Sequence, residues 1–169
     1  MISEVEGKPE RRPASPQKVA DRLRRLCSRR EYCSADMMKK AIQALDGDRE
    51  GAREIVDSLI RDKYVDDARY AEAFVRDKSA LAGWGRTKIR YMLVAKGVAK
   101  DVTDMALERI DAGKADERMR RLVLNKYNSL KNDPQCRMKL LRFAMGRGYS
   151  YPEAEEAVND VMMKLNDNR

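Results

Sequence analysis

The sequence contains no histidine. That excludes every site built on imidazole: Ser–His and Cys–His nucleophile pairs, a histidine general base, and histidine-ligated metals. Cysteine is scarce. Cys27, Cys33 and Cys136 are odd in number and never stand at Cys-x-x-Cys spacing, so neither a disulfide framework nor a four-thiolate zinc site is expected. Long apolar runs are missing. The longest, Tyr91 to Ala95, is far too short to cross a bilayer. The first residues, with Glu4, Glu6, Pro9 and Glu10, lack the apolar stretch of a secretory signal. A reducing cytoplasm is the setting these absences imply. Leu, Ile, Val and Phe are also few, 32 of 169 residues. That share sits just under the ~20% at which disorder becomes an option. Ten Met, seven Tyr and many Ala supplement them, so several thin cores are expected rather than one large dry one.

Charge is abundant. Charged residues are 38% of the chain, and 36 Lys and Arg against 28 Asp and Glu leave a net +8. Val, Ile and Thr are few and no segment alternates apolar with polar for long, while Ala, Leu, Met, Lys, Arg and Glu dominate. The chain therefore reads as all-α. The spacing predicts nine helices, near 16–30, 34–45, 49–62, 66–81, 85–96, 100–111, 114–129, 134–146 and 151–165. Ser15-Pro16 and Asp133-Pro134 each pair an N-cap with a proline at the first helical position. Ser150 and Glu153 have capping-box spacing. Gly97 and Gly148 follow long helical patterns, as left-handed C-caps do. Residues 1–14 carry prolines and mixed charge without periodicity and read as a disordered tail.

The helices repeat at an offset of 51 residues. Ile89 falls on Leu140, Met92 on Phe143, Gly97 on Gly148, Val98 on Tyr149, Ala106 on Ala157, Leu107 on Val158 and Ile110 on Val161. Backwards, Ile89 falls on Met38, Leu93 on Ile42, Ala106 on Ile55, Leu107 on Val56 and Ile110 on Leu59, with Asp46 at the glycine's place and Gly47 beside it. One constant offset across three units is more than the shared period of unrelated amphipathic helices supplies. It predicts three tandem three-helix repeats: 15–64, 65–112 and 113–169.

Charge follows the same repeat. The second helices are basic: 83–100 holds Arg86, Lys88, Arg90, Lys96 and Lys100 with no acid, and 137–147 holds four cations with none. The first unit's second helix is only weakly basic, with Lys39 and Lys40 against Asp36. The third helices are acidic, net −2, −3 and −3 over 48–62, 101–111 and 152–165. The first helix, 16–30, sums to +5 through Lys18, Arg22, Arg24, Arg25, Arg29 and Arg30 against Asp21. Stacked in register, such units would carry a basic ridge able to follow a polyanion backbone. A solvated surface with acids interleaved in space fits the same counts, and charge alone leaves both readings open. The aromatics add little, since Trp84 and a few Tyr form no aromatic-rich platform.

Four motifs resemble chemical sites. Asp66-Asp67 before Tyr70, Ala71, Phe74 and Val75 reads as a cap and a buried stripe rather than an acid–base pair. Gly83-Trp84-Gly85 precedes Arg86, Lys88 and Arg90, but a helix stands before it where a phosphate loop needs a strand, so it reads as a tight helix–helix turn. Asp46-Gly47-Asp48-Arg49-Glu50-Gly51 imitates a calcium loop. It departs at Arg53, where an apolar residue is usual, and at Asp57, where glutamate is; a loop with an N-cap at Asp48 accounts for it. Cys27 and Cys33 read as partly buried structural thiols. No cofactor, metal or catalytic residue is predicted, and the chain is not expected to be an enzyme.

Four features in order resemble the RecX family: Arg29-Arg30-Glu31-Tyr32-Cys33-Ser34; Leu59 to Val75 with its Val65-Asp66-Asp67-Ala68-Arg69-Tyr70-Ala71 core; Gly83-Trp84-Gly85 with Ile89, Leu93 and Lys96-Gly97-Val98; and the repeated three-helix layout. The resemblance runs from about Pro16 to the C-terminus. It departs at Val65, where the family usually has Leu, at Tyr70, where Phe is common, and in the first helix of the third repeat. The resemblance implies an elongated, curved array that lies in the helical groove of the RecA–DNA filament. There it would block filament growth or promote disassembly, lowering RecA ATPase and strand exchange in DNA repair and the SOS response. It implies a monomer whose partners are the RecA filament and single-stranded or duplex DNA, the latter bound weakly or through the filament, with no membrane partner. Arg24, Arg25, Arg29 and Arg30, with Arg86, Lys88 and Arg90, are the expected contacts to filament DNA or acidic RecA surface. The family motif supports Arg29, Arg30 and the Gly83–Gly85 turn; the charge count alone supports the others. Reversing Arg86, Lys88 and Arg90 is expected to weaken filament inhibition without unfolding the chain. A stand-alone nucleic-acid-binding module and a protein-binding adaptor indifferent to DNA are the rival readings.

Overall fold

The computed structural model describes residues 14–166. The tail expected at 1–14 lies, but for Ala14, outside them. Nine α-helices follow one another, and no strand occurs among the described residues: α1 Pro16–Cys27, α2 Ser34–Ala44, α3 Arg49–Arg61, α4 Asp67–Ala80, α5 Arg86–Ala95, α6 Lys100–Glu108, α7 Ala112–Leu130, α8 Cys136–Gly146 and α9 Tyr151–Asn166. They pack in threes, α1 with α2 and α3, α4 with α5 and α6, α7 with α8 and α9. The fold is an all-α tandem array of three-helix repeats. By compactness the chain divides once, into a unit ending at Asp66 and a unit beginning at Asp67.

Helix starts follow local chemistry. Pro16 opens α1 at the position where its missing N–H costs nothing. The Asp48 carboxylate accepts the backbone N–H groups of Glu50 and Gly51 at the head of α3, which gives the calcium-like loop its capping role. Glu153 reaches back to the N–H and hydroxyl of Ser150, both at 2.7 Å, closing the expected capping box. Two boundaries differ from expectation. Helix α1 stops at Cys27 rather than near 30, where the Ser28 hydroxyl donates to the Arg25 carbonyl and draws the chain out of the helix. Helix α8 starts at Cys136, two residues after Pro134, because the Asp133 carboxylate takes the Gln135 N–H and holds 134–135 in a turn.

The first unit has its own core, made by Val19, Leu23, Met37, Ala41, Ile55, Val56, Leu59 and Val65. In the second unit, Ile89, Leu93 and Leu107 are buried under α4, whose Tyr70, Ala71 and Val75 face inward as the spacing predicts; Phe74 is half-buried. Met119, Val123, Leu140, Leu141, Ala144, Ala154, Ala157 and Val158 form the core of the last triad. The 51-residue offset appears in backbone conformation as well. Asp46 (φ 51°), Gly97 (φ 84°) and Gly148 (φ 91°) are left-handed at equivalent places after α2, α5 and α8. In α2 the buried pair is Met37 and Ala41, one residue before the expected Met38 and Ile42, which are only half-buried. The turn out of α2 uses two left-handed residues, Asp46 and Gly47, where the other turns use one.

Within the second unit, α8 ends against the start of α5. The Gly85 N–H donates to the Arg147 carbonyl at 2.8 Å and the Thr87 N–H to the Gly148 carbonyl at 3.2 Å. The first N–H groups of α5, which have no acceptor in their own helix, are thus met by carbonyls following α8. The Arg147 guanidinium donates to the Ala82 carbonyl, and the buried Tyr149 hydroxyl to the Gly83 carbonyl. These bonds tie the second and third triads into one compact unit.

Candidate nucleic-acid interface

Helix α1 turns Val19, Ala20 and Leu23 into the core. The opposite stripe holds Lys18, Arg22 and Arg25, spaced four and three apart, and Arg29 continues it in the turn beyond. All four are exposed, and none has an ion pair among the described residues. The helix has one acid, Asp21, which accepts from Gln17 at 3.2 Å and Arg24 at 3.0 Å. A same-sign stripe at this spacing costs a few tenths of a kcal/mol per pair. The negative end of α1 offsets part of that cost at Arg25, in its last turn, and a bound polyanion would offset it along the whole stripe.

The seven expected contact residues separate on inspection. Arg25 and Arg29 lie on the open stripe. Arg24 is half-buried and points elsewhere, to Asp21 and, at 3.8 Å, to Asp62, with the Tyr64 ring 6.0 Å away. Arg30 lies 4.4 Å over the ring of buried Tyr32. Its guanidinium is positioned by that stacking, which accounts for an aromatic at position 32. The second set is built into the fold. Arg86 donates to the Leu107 carbonyl near the end of α6, Lys88 to the Gly146 carbonyl at 3.3 Å, and Arg90 pairs with Asp104 at 2.9 Å. Reversing all three would therefore remove a helix-end bond, a bond to α8 and an ion pair. A loss of function in that variant would not by itself identify a binding surface. Lys18 and Arg22 were in the sequence count but not among the expected contacts. Helical spacing from Arg25 and Arg29 was the signal that finds them.

Within the second unit, acids of α6 and α9 are paired with cations of neighbouring helices. Asp104 of α6 is held by Lys100 and Arg90, both at 2.9 Å, and its carboxyl lies below the ordinary carboxylate range chiefly through the Lys100 hydrogen bond. On α9, Glu155 pairs with Arg137 of α8, while Glu156 and Asp160 pair with Arg120 of α7. The interleaved-charge reading thus describes much of the second unit. Trp84 belongs to the same picture: the ammonium groups of Lys78 and Lys88 sit 4.9 and 4.5 Å from its ring centre. Cys33 and Cys136 are buried and Cys27 partly so; none is disulfide-bonded, and burial pushes the Cys136 thiol above its ordinary range. Among the described residues, no cluster of three or more Cys, Asp or Glu could hold a metal ion, and no helix is long and apolar enough to cross a membrane.

Helical triads at a fixed offset define a tandem three-helix repeat protein. Residues 66–107 match the family model described as RecX, second three-helix domain. A curated regulatory protein RecX of Chromohalobacter salexigens is 31% identical over 137 residues, covering 79% of this chain and 86% of that protein. The chain belongs to the RecX family. The regulatory protein RecX of Clostridium acetobutylicum is 29% identical over 118 residues, or 66% of this chain and 54% of that protein. The chain thus spans about half the length of such clostridial relatives. The crystal structure of RecX from Lactobacillus salivarius superposes with a TM-score of 0.74 at 19% identity, covering 88% of this chain and 97% of that one. A second crystal structure of regulatory protein RecX gives 0.76 at 24% identity, with 86% and 71% covered. Both are likenesses of fold.

Proposed function

We propose that this chain is a non-catalytic regulator that binds the RecA–DNA filament and lowers RecA ATPase, filament growth and strand exchange, acting in the cytoplasm as a monomer. The observation that carries this reading is the α1 stripe: Lys18, Arg22 and Arg25, with Arg29 beyond, exposed and without counter-ions among the described residues. Spaced along about two helical turns and the turn beyond, four cations suit the successive phosphates of a nucleic acid backbone. In this reading Arg25 and Arg29 contact filament DNA or acidic RecA surface directly. Arg24 and Arg30, held by Asp21 and Tyr32, flank them as fixed charges. Arg86, Lys88 and Arg90 contribute through the guanidinium and ammonium edges that their internal partners leave open. The three repeats, 15–64, 65–112 and 113–169, are the proposed units of contact.

The test adds the purified protein to RecA filaments preformed on single-stranded DNA and follows ATP hydrolysis. Inhibition is expected well below one protein per RecA, with about tenfold more protein needed when Lys18, Arg22, Arg25 and Arg29 are all changed to Gln and helicity is retained. No inhibition by the unaltered protein at excess removes the filament reading. The stripe also suits a stand-alone nucleic-acid module. That rival predicts tight binding to a labelled oligonucleotide without RecA, with a log–log salt slope of about −0.7 per phosphate contacted on single strands.

A further inference from the structure

A cavity of about 330 Å³ opens in the second unit between α4, the turn after α6 and the first two turns of α7. Its size is at the lower end of ligand pockets, roughly 300–1,000 Å³. Four of its lining residues are cations, Arg76, Arg109, Lys114 and Arg118, against two carboxylates, Glu72 and Asp111. The acids do not neutralise it evenly. Glu72 is engaged by Arg109 at 2.9 Å. Asp111 caps α7 by accepting the Lys114 N–H at 3.1 Å, and its other oxygen is 3.9 Å from the Lys114 ammonium. Arg76 has only its exposed neighbour Asp77, at 3.3 Å. Arg118 is half-buried and has no hydrogen bond or ion pair among the described residues.

Arg118 lines the cavity with no anionic partner among the described residues, and a phosphoryl anion can accept two of its N–H groups in charge-assisted hydrogen bonds. The cavity lies beside the start of α7, whose positive end Asp111 already caps, so its side-chain cations rather than the helix end are what it offers an anion. We propose that this cavity is a site for a phosphoryl anion, held by Arg118 and Arg76 with Lys114. The ligand's phosphates come either from a free nucleotide polyphosphate or from a nucleic acid backbone. The site lies away from the α1 stripe in sequence and does not rest on the filament reading.

The experiment titrates inorganic pyrophosphate into the full chain and follows heat and melting temperature. Saturable binding is expected, weakened about tenfold by Arg118→Gln, partly restored by Arg118→Lys, and changed less than twofold by Arg121→Gln. Arg121 is an exposed cation on the same helix that does not line the cavity. Arg76→Gln, at an exposed position, carries the same test should Arg118→Gln fail to fold. Absence of saturable binding, or equal losses at Arg118 and Arg121, overturns the proposal. Displacement of pyrophosphate by ATP but not by a thymidine oligonucleotide assigns a free nucleotide. Displacement by the oligonucleotide assigns the backbone. Displacement by neither overturns the assignment.

Discussion

Asp46 and Gly85 show opposite uses of backbone freedom. Asp46 holds a left-handed conformation that Gly97 and Gly148 hold at equivalent places. For a non-glycine residue that conformation costs about 1 kcal/mol. Asp46→Gly is therefore expected to raise stability by about 0.5–1 kcal/mol, read as a higher urea midpoint with an unchanged slope. At Gly85 the constraint is space. A Cβ there would collide with the backbone carbonyl of Gly148 and the N–H of Tyr149, neither of which can swing aside. Gly85→Ala is expected to cost about 2–4 kcal/mol on the same measurement. From the sequence, Gly83-Trp84-Gly85 was legible as a tight turn, and Gly83 does have positive φ. The role of Gly85 was not legible, since its constraint comes from a residue 63 positions later. Arg86 illustrates the same limit. Its acceptor is a main-chain carbonyl 21 residues away, and a charge count is blind to neutral acceptors.

At the scale of helices, the boundaries were largely readable because they are set locally by caps, prolines and the period of buried residues. Asp48, the Ser150–Glu153 box and the glycines after α5 and α8 all act where the sequence places them. The partner of each charged face was not readable, because pairing is decided by which helices come together. The same pairing sets the acid response. The carboxyl of Asp104 is held low chiefly by Lys100, and that of Asp133 by Lys139 and the Gln135 N–H. Depressed folded-state values mean that their contribution is present above about pH 4, the ordinary carboxylate value. It is lost as pH falls through the lower folded values. Stability measured by urea titration should therefore decline below about pH 4. A variant with Asp104→Asn and Asp133→Asn should start less stable and decline less over that interval. An unchanged pH profile in that variant would remove these pairs as its cause.

At the scale of the molecule, the repeat was legible as a constant offset, and the closing of the second and third triads into one unit was not. The core from Val19 to Val65 closes without help from later residues. The second unit is joined internally by the bonds from Gly85 and Thr87 to the end of α8. A fragment spanning 67–169 is therefore expected to fold alone, with a single cooperative transition and the helicity of six helices by circular dichroism. Loss of cooperativity in that fragment would show that its triads need the first unit.

Trp84 is the only tryptophan in the chain, and it lies in the unit that begins at Asp67, beside two lysine ammonium groups. Its emission is therefore a dye that evolution has already attached to one unit and not to the other. An ellipticity trace averages over every helix, while this fluorophore responds to the tie between α5 and α8. Superimposable melting curves from the two signals would mean that the units unfold together. A lag between them would give the order in which they come apart, without labelling or mutation.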